Sequence, residues 1–230
     1  MGNEKPVIAV IGGTGSQGSG LAKRWARAGY EVIIGSRDAS RAQQAAEEIS
    51  EMATAASSWG TVRGTDNLSA ATESEIAVLA VPFANQLNTL EPIADALKGK
   101  ILIDVTAPLV PPKVGTVQLP EAGSAVLAAQ DMLGEDVTVV AAFQNIAAQH
   151  LNDLDHEIDC DVLVCGNKKS AREIAIELAG AAGMTGWHAG PLANAAAAEA
   201  MTSVLIFINR AHKIPGSGIR ITGTPSETEE

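Results

Sequence analysis

The residues of this chain whose types and spacing carry the most chemistry are three glycines and the hydroxyl and guanidinium groups that follow them. The apolar run Val7–Gly12 leads into Gly13-Thr14-Gly15-Ser16-Gln17-Gly18, after which residues 21–30 carry helical spacing and Glu31–Ser36 reads as a second strand. This is the GxGxxG order between a strand and a helix. Gly13 suits a tight turn, Gly15 lets a pyrophosphate approach the backbone and Gly18 lets helix and strand pack closely. The helix N-terminus adds unpaired N–H groups and the positive end of a dipole. A glycine-rich turn can be purely structural, but the flanking strand, helix and second strand favour a dinucleotide cradle.

The second strand closes on Gly35-Ser36-Arg37, where a site for NAD places an acid to bind the ribose hydroxyls. Here Ser36 can donate to a phosphate, Arg37 can grip it with two N–H groups, and Arg41 lies one helical turn onward. The pattern selects the 2′-phosphate of NADP. The competing reading leaves Arg37 and Arg41 solvated at a helix start, with Asp38 able to pair with either.

Positioning these groups requires a sheet. Apolar, β-branched runs recur at 7–12, 31–36, 75–82, 100–106, 137–143 and 161–166, several of them continuous, as strands covered on both faces should be. Helix-length segments separate most of them. The βαβ order predicts an α/β fold, a Rossmann-type doubly wound and mostly parallel sheet with a small C-terminal helical segment. Residues 61–64 and 184–190 are weaker strand candidates, the second an edge strand before Pro191. From Leu192 to Lys213 the chain reads as one helix, apolar almost all round, that demands burial against something large. A second subunit is the natural cover, with Ala196, Met201, Leu205 and Ile208 in the interface. The expected division is 1–190 for the dinucleotide-binding domain, 191–221 for the C-terminal helix and segment, and 222–230 for a polar, disordered tail.

Composition bounds the partners. The 230 residues are 46% hydrophobic, enough for one sizeable core, and the formal net charge of −11 opposes nucleic acid binding. No basic stretch precedes an apolar run at the start, and no uninterrupted apolar segment approaches the roughly 18 residues of a span, so neither membrane nor lipid anchor is expected and the chain reads as cytoplasmic. Cys160 and Cys165 are spaced to point to opposite faces of a strand, against a mutual disulfide. Neither they nor His150, His156, His188 and His212 show a metal-ligand spacing, so no metal is expected.

With these residues in hand, the chain resembles the F420-dependent NADP oxidoreductase family. The likeness rests on GGTGSQG (12–18), the GSR at 35–37 with a basic residue four positions after the arginine, IAVLAVPF (76–83), DVLVCG (161–166), HAGPLANA (188–195) and GSGIRITG (216–223). It spans nearly the whole chain, and its later motifs are more specific than the glycine loop. The resemblance implies direct hydride exchange between NADP and the deazaflavin coenzyme F420, their rings stacked at the carboxyl ends of the strands. It also implies that residues 191–221 complete the F420 pocket and the interface of a homodimer. By position, the family's NADP contacts fall on Thr14, Gly15, Ser16, Gln17, Gly18, Ser36, Arg37, Arg41, Phe83, Leu87, Val110 and Ala148. Its F420 contacts fall on Gln144, Asn145, Ile146, Thr202, Gly218 and Ile219. Some members carry His-Thr-Ile-Pro where this chain has Gln144-Asn145-Ile146-Ala147, so a histidine's donor role does not transfer. Bland readings stand beside these: Phe83 and Leu87 as core, the 144–147 turn as a closure of the sheet, and Thr202 bonding its own helix.

Hydride transfer asks mainly for positioning, and no catalytic side chain is expected. A first rival is an NADP-dependent reductase of the imine or β-hydroxyacid type. Such enzymes need a longer helical domain than the about 40 residues that follow the last strand, unless a second subunit supplies the wall. A second rival is a non-catalytic NADP-sensing protein, since fold and fingerprint do not establish turnover.

Overall fold

A computed structural model of the chain describes residues 5–53 and 58–223. Of the expected tail, residues 224–230 lie outside the described residues. The elements run β1 (Ile8–Ile11), α1 (Ser16–Arg27), β2 (Val32–Ser36), α2 (Ala39–Met52), β3 (Val62–Asp66), α3 (Asn67–Glu73), β4 (Ile76–Leu79), α4 (Gln86–Leu90), α5 (Ala94–Leu97), β5 (Ile101–Asp104), α6 (Ala125–Leu133), β6 (Thr138–Ala141), α7 (Ala148–Asn152), β7 (Val162–Gly166), α8 (Lys169–Ala181), β8 (Gly186–His188) and α9 (Ala195–His212).

The strands form one sheet in the order β3-β2-β1-β4-β5-β6-β7-β8, parallel from β3 through β6, which is the doubly wound order with its switch point between β1 and β4. Both weaker strand candidates exist, and both are edges: β3 at one end, β8 at the other. Alternation within each strand splits the core. Ile8, Val10, Val32 and Ile34 face Leu21, Trp25 and Ile49 on one side, while Ala9, Ile11, Ile33 and Leu79 face Leu90, Leu97 and Val126 on the other. Trp25 is fully buried and its indole N–H donates to the Leu178 carbonyl at 2.9 Å, tying α1 to α8.

One strand departs from the βαβ expectation. β7 pairs antiparallel with β6 through Ala141↔Cys165 and Val140↔Gly166. A parallel return needs a crossover back to the starting end of the sheet, but here the chain leaves β6 through the turn at 143–147 into α7. That helix packs on α1 beyond the carboxyl ends, so β7 begins where β6 stopped.

Arg24 fixes this arrangement. Its guanidinium is nearly buried and donates to the carbonyls of Leu151 (3.0 Å), Ala182 (3.1 Å), His150 (2.8 Å), Asp153 (2.7 Å) and His156 (3.1 Å). Burial lowers its pKa, yet carbonyl oxygens at the ends of α7 and α8 are the partners a cation favours. Cys160 and Cys165 are free and buried in opposite core clusters, and burial pushes both thiols up, Cys165 to about 11.

The predicted C-terminal helix starts as a 3-10 turn at Leu192–Asn194 and becomes α9, which ends at Lys213 with a left-handed φ of 55°. Residues 192–212 are long and apolar enough by length and hydropathy to cross a membrane, although Asn194, Glu199 and Asn209 interrupt the apolar run. In the fold, Ala195, Ala198, Glu199, Ser203 and Leu205 are buried against the chain's own sheet layer, while Val204 and Phe207 are exposed. Leu205, expected in a subunit interface, is therefore covered within its own chain.

Candidate functional site

The carboxyl ends of β1, β2, β4 and β5 open into a cleft with two chambers. The left-handed residue of the glycine turn is Gly12, with φ +77°, and not Gly13; a Cβ at Gly13 would instead lie 2.8 Å from the Val10 carbonyl oxygen. At Gly18 a Cβ would lie 2.9 Å from the Gly13 Cα, so the packing role read for it holds in geometry. α1 has Gly15 as its N-cap, no side chain capping it and no acid in its first turn. Its first amides therefore have no internal partner and face an anion unopposed.

The smaller chamber, of about 460 Å³, is lined by Thr14, Gly15, Ser36, Arg37 and Arg41, with Asn67, Asn85 and Thr89 opposite. Ser36 Oγ accepts the Asp38 amide at 3.2 Å, which leaves its hydroxyl hydrogen free to donate into the chamber. Asp38 does not pair with Arg37. It caps α2, accepting the Ser40 amide at 3.0 Å and the Ser40 hydroxyl at 2.7 Å, and those bonds hold its carboxyl below the ordinary range. Both arginines stand exposed at the mouth.

The larger chamber, of about 660 Å³, shares Gly15, Ala80, Val81 and Pro82 with the first. Its wall brings together Ser16, Gln17, Phe83, Gln144, Asn145, Ile146, Ala148 and Thr202 from the expected residues. It adds several that sequence reasoning missed: Thr106, Leu109, Pro111 and Val114 on the loop after β5, and Ile206 and Asn209 on α9. The signal for the loop was available, because it follows the strand predicted at 100–106 and ligands in doubly wound sheets bind beyond such carboxyl ends. Among the described residues, none that lines this chamber carries an ionisable side chain.

The turn at its centre is held from several sides. Gln17 Nε2 donates to the Phe143 carbonyl at 3.2 Å, Thr202 Oγ1 to the Gln144 carbonyl at 2.8 Å, Gln144 Nε2 to the Asp104 carbonyl at 2.8 Å, and Asn145 Nδ2 to the Asp161 carbonyl at 2.8 Å. Thr202 thus bonds the turn and not its own helix. Gln144 Oε1 and Asn145 Oδ1 are buried with no hydrogen-bond partner among the described residues. Buried polar atoms are almost always paired, so these two fit the polar edge of a bound ring.

Behind the wall lies a buried acidic pair. Asp104, with no exposed surface, accepts Gln86 Nε2 at 2.6 Å and the Thr106 amide at 2.9 Å, and burial raises its pKa. Glu199 of α9 accepts the amides of Ala125 (2.7 Å) and Val126 (3.1 Å) at the start of α6. Burial pushes its carboxyl to about 7, with the nearby Asp104 adding to the rise.

Five expected residues fall outside both chambers, among them Gly18, which packs under the glycine turn. Leu87 is 41% exposed and Val110 40%, and neither lines either chamber, although Leu109 and Pro111 beside Val110 do. Gly218 packs against Cys160, whose Sγ would lie 2.7 Å from an added Cβ, and Ile219 pairs by its carbonyl with the Asp161 amide at 2.8 Å. The segment that holds them is stitched to the start of β7, and of it Ser217 reaches the larger chamber. Phe83 lines that larger chamber and not the one beside Arg37, which is against an adenine contact.

Sheet order, a helix start with unpartnered amides and a bipartite cleft together define a Rossmann-type fold of the dinucleotide-binding kind. The family described as NADP oxidoreductase, coenzyme F420-dependent, matches residues 7–108. The chain is 42% identical over 223 residues to the F420-dependent NADP reductase of Methanothermobacter marburgensis, covering 95% of this chain and 99% of that one. It is 38% identical to the F420-dependent NADP reductase of Methanocaldococcus jannaschii over 94% of this chain and 97% of that one. A crystal structure from Arthrobacter sp. fb24, provisionally named an F420-dependent NADP reductase, superposes with a TM-score of 0.75 at 26% identity, covering 94% and 99% of the two chains. The chain belongs to the F420-dependent NADP oxidoreductase family.

Proposed function

We propose that this chain moves a hydride reversibly between NADP and coenzyme F420 across the larger chamber. The pyrophosphate lies on the first turn of α1, over Thr14, Gly15, Ser16, Gln17 and Gly18. The 2′-phosphate lies among Ser36, Arg37 and Arg41. The nicotinamide enters the larger chamber past Pro82 and Phe83 toward Ala148, and the deazaflavin lies against Gln144, Asn145, Ile146 and Thr202. When bound, the two coenzymes supply the whole of the redox chemistry: one hydride passes between them and one proton is exchanged with water.

The observation that supports this reading is the absence of any ionisable group among the described residues of the larger chamber's wall. A chamber that reduced an imine or a keto acid would need a proton donor at the reacting atom. This wall supplies flat apolar surface from Leu109, Pro111, Ile146, Leu205 and Ile206, with amide and hydroxyl groups at the edge. Its residues orient two rings and exclude water, and rate follows from holding donor and acceptor carbons roughly 3 to 3.5 Å apart. The imine reductase BcSIRED from Bacillus cereus shares the fold at a TM-score of 0.62 and 16% identity, and the match covers 62% of its length. The test is stopped-flow mixing of reduced F420 with NADP while both chromophores are followed. Hydride exchange far above the uncatalysed rate is expected; none, alongside turnover of a cyclic imine or keto acid, would overturn the proposal, and tight NADP binding with no acceptor turned over would indicate a sensor.

The same reading makes the protein a cytoplasmic homodimer without nucleic acid or membrane partners. Residues 1–190 bind the dinucleotide, and 191–221 close the F420 side and present the exposed Val204 and Phe207 to the second subunit.

A further inference from the structure

Gln17 is the second residue of α1, on the turn that takes the pyrophosphate, yet its side chain points across the cleft. Its amide donates to the carbonyl of Phe143 at 3.2 Å, and the Ile146 amide donates to the same oxygen at 3.2 Å, closing the turn that carries Gln144, Asn145 and Ile146. Phe143 is an unusual residue to find there. It has a φ of 70°, in the left-handed region that bulky side chains avoid, while its ring is fully buried and edge-on to Trp25 at 5.9 Å. Such a conformation persists only where neighbours over-determine it, and it concentrates at functional sites. The turn's other anchors are Asp104 at the end of β5, Cys160 and Asp161 just before β7, and Thr202 of α9. Gln17 alone among these joins it to the dinucleotide loop.

We infer that Gln17 is a positioning residue that couples the two coenzyme sites: dinucleotide bound on the first turn of α1 fixes the Gln17 side chain and so fixes the Phe143–Ile146 turn against which the second ring stacks. This rests on the assignment of the two chambers proposed above. NADP and F420 then bind with positive coupling. By linkage each must tighten the other by one and the same factor, and the entropy of ordering the turn is spent at the first binding event.

The oxidised pair, NADP+ with oxidised F420, cannot react, so affinities can be measured as a closed cycle. In the wild type, saturating NADP+ should lower the F420 Kd at least fivefold, and saturating F420 should lower the NADP+ Kd by the same factor. Gln17→Leu keeps the side chain's size and removes the donor, and its coupling factor should fall below twofold whatever happens to its NADP+ affinity. Thr202→Val removes the turn's bond to α9, and should weaken F420 binding while leaving the coupling factor as in the wild type. Hydrogen exchange supplies a readout that needs no F420: NADP+ should slow exchange at the Ile146 amide in the wild type and leave it unchanged in Gln17→Leu. Equal coupling factors in wild type and Gln17→Leu, or Ile146 protection that ignores NADP+ in both, would overturn the inference. Failure of F420 to bind at all would instead overturn the co-substrate assignment, with the exchange experiment still deciding the role of Gln17.

Discussion

Glu199→Gln should remove a fall in stability that the parent shows between about pH 5 and 7, so that the variant gains on the parent as pH rises. Glu199 is 1% exposed and titrates at about 7 instead of its ordinary 4.5. Between those values the native state binds the proton and the unfolded chain does not, so stability falls as pH rises through the window and is flat above it. At 1.36 kcal/mol per pH unit the interval amounts to about 3 kcal/mol. The substitution removes that slope. It also has a cost, because the two carboxylate oxygens accept one amide each, from Ala125 and Val126, and an amide NH2 cannot accept; losing one such bond costs about 1 kcal/mol. Near pH 5 the two proteins should therefore be about equally stable, because the parent has by then lost about as much of its protonation-linked stability as the variant loses with the bond, and near pH 8 the variant should be more stable by about 2 kcal/mol. Asp104 contributes its own slope, in the same direction because burial raises it too, and comparing the two proteins at each pH largely removes it. Urea unfolding followed by circular dichroism from about pH 5 to 8.5 measures the difference directly. Curves for the two proteins that stay parallel across that range would refute the reasoning, and with it the claim that the Glu199 charge is buried at neutral pH.

Three further outcomes follow from the geometry. Arg37→Ala should weaken NADP binding about 10- to 100-fold, the equivalent of losing a charged contact worth about 1.5–3 kcal/mol, with NAD affinity unchanged; calorimetric titration of both dinucleotides checks it. Arg24→Met conserves volume but leaves five carbonyl acceptors at the ends of α7 and α8 without their donor, and should cost about 3–5 kcal/mol in unfolding experiments. Phe207→Glu, at a position 63% exposed on α9, should shift sedimentation from dimer to monomer at micromolar concentration without lowering the unfolding temperature; a wild-type monomer would remove the proposed interface.

How far the sequence could be read depended on whether the chemistry was local. The proposed phosphate end of the cleft is built from backbone and from residues within one turn of it, so Gly15, Ser36, Arg37 and Arg41 could be picked out from spacing alone, and they meet in one chamber. The strand runs were legible for the same reason, down to the two short edges. The larger chamber is made of shape contributed by segments far apart in sequence, and Thr106, Leu109 and Val114 have no type or spacing that marks them. Gly218 was misplaced because a small residue suits either a flat slot or a close approach, and only the fold shows that it packs on Cys160. Glu199 left a signal that was not used: one carboxylate inside an otherwise apolar helix must have buried donors somewhere, and here they are the first amides of α6.

The antiparallel β7 joins these points. A doubly wound sheet predicts another crossover after β6, and this chain instead keeps residues 143–152 at the carboxyl end of the sheet, where Phe143 takes a left-handed conformation and α7 packs on α1. That detour puts Gln144, Asn145, Ile146 and Ala148 into the larger chamber, and it leaves β7 no route but to start from the end where β6 stopped. Local rules fail at the same residues that form the proposed second binding surface, as expected where function and regularity compete. A strand direction that breaks the βαβ pattern is therefore a pointer to the site itself, and the departure is explained by what it exposes to the cleft.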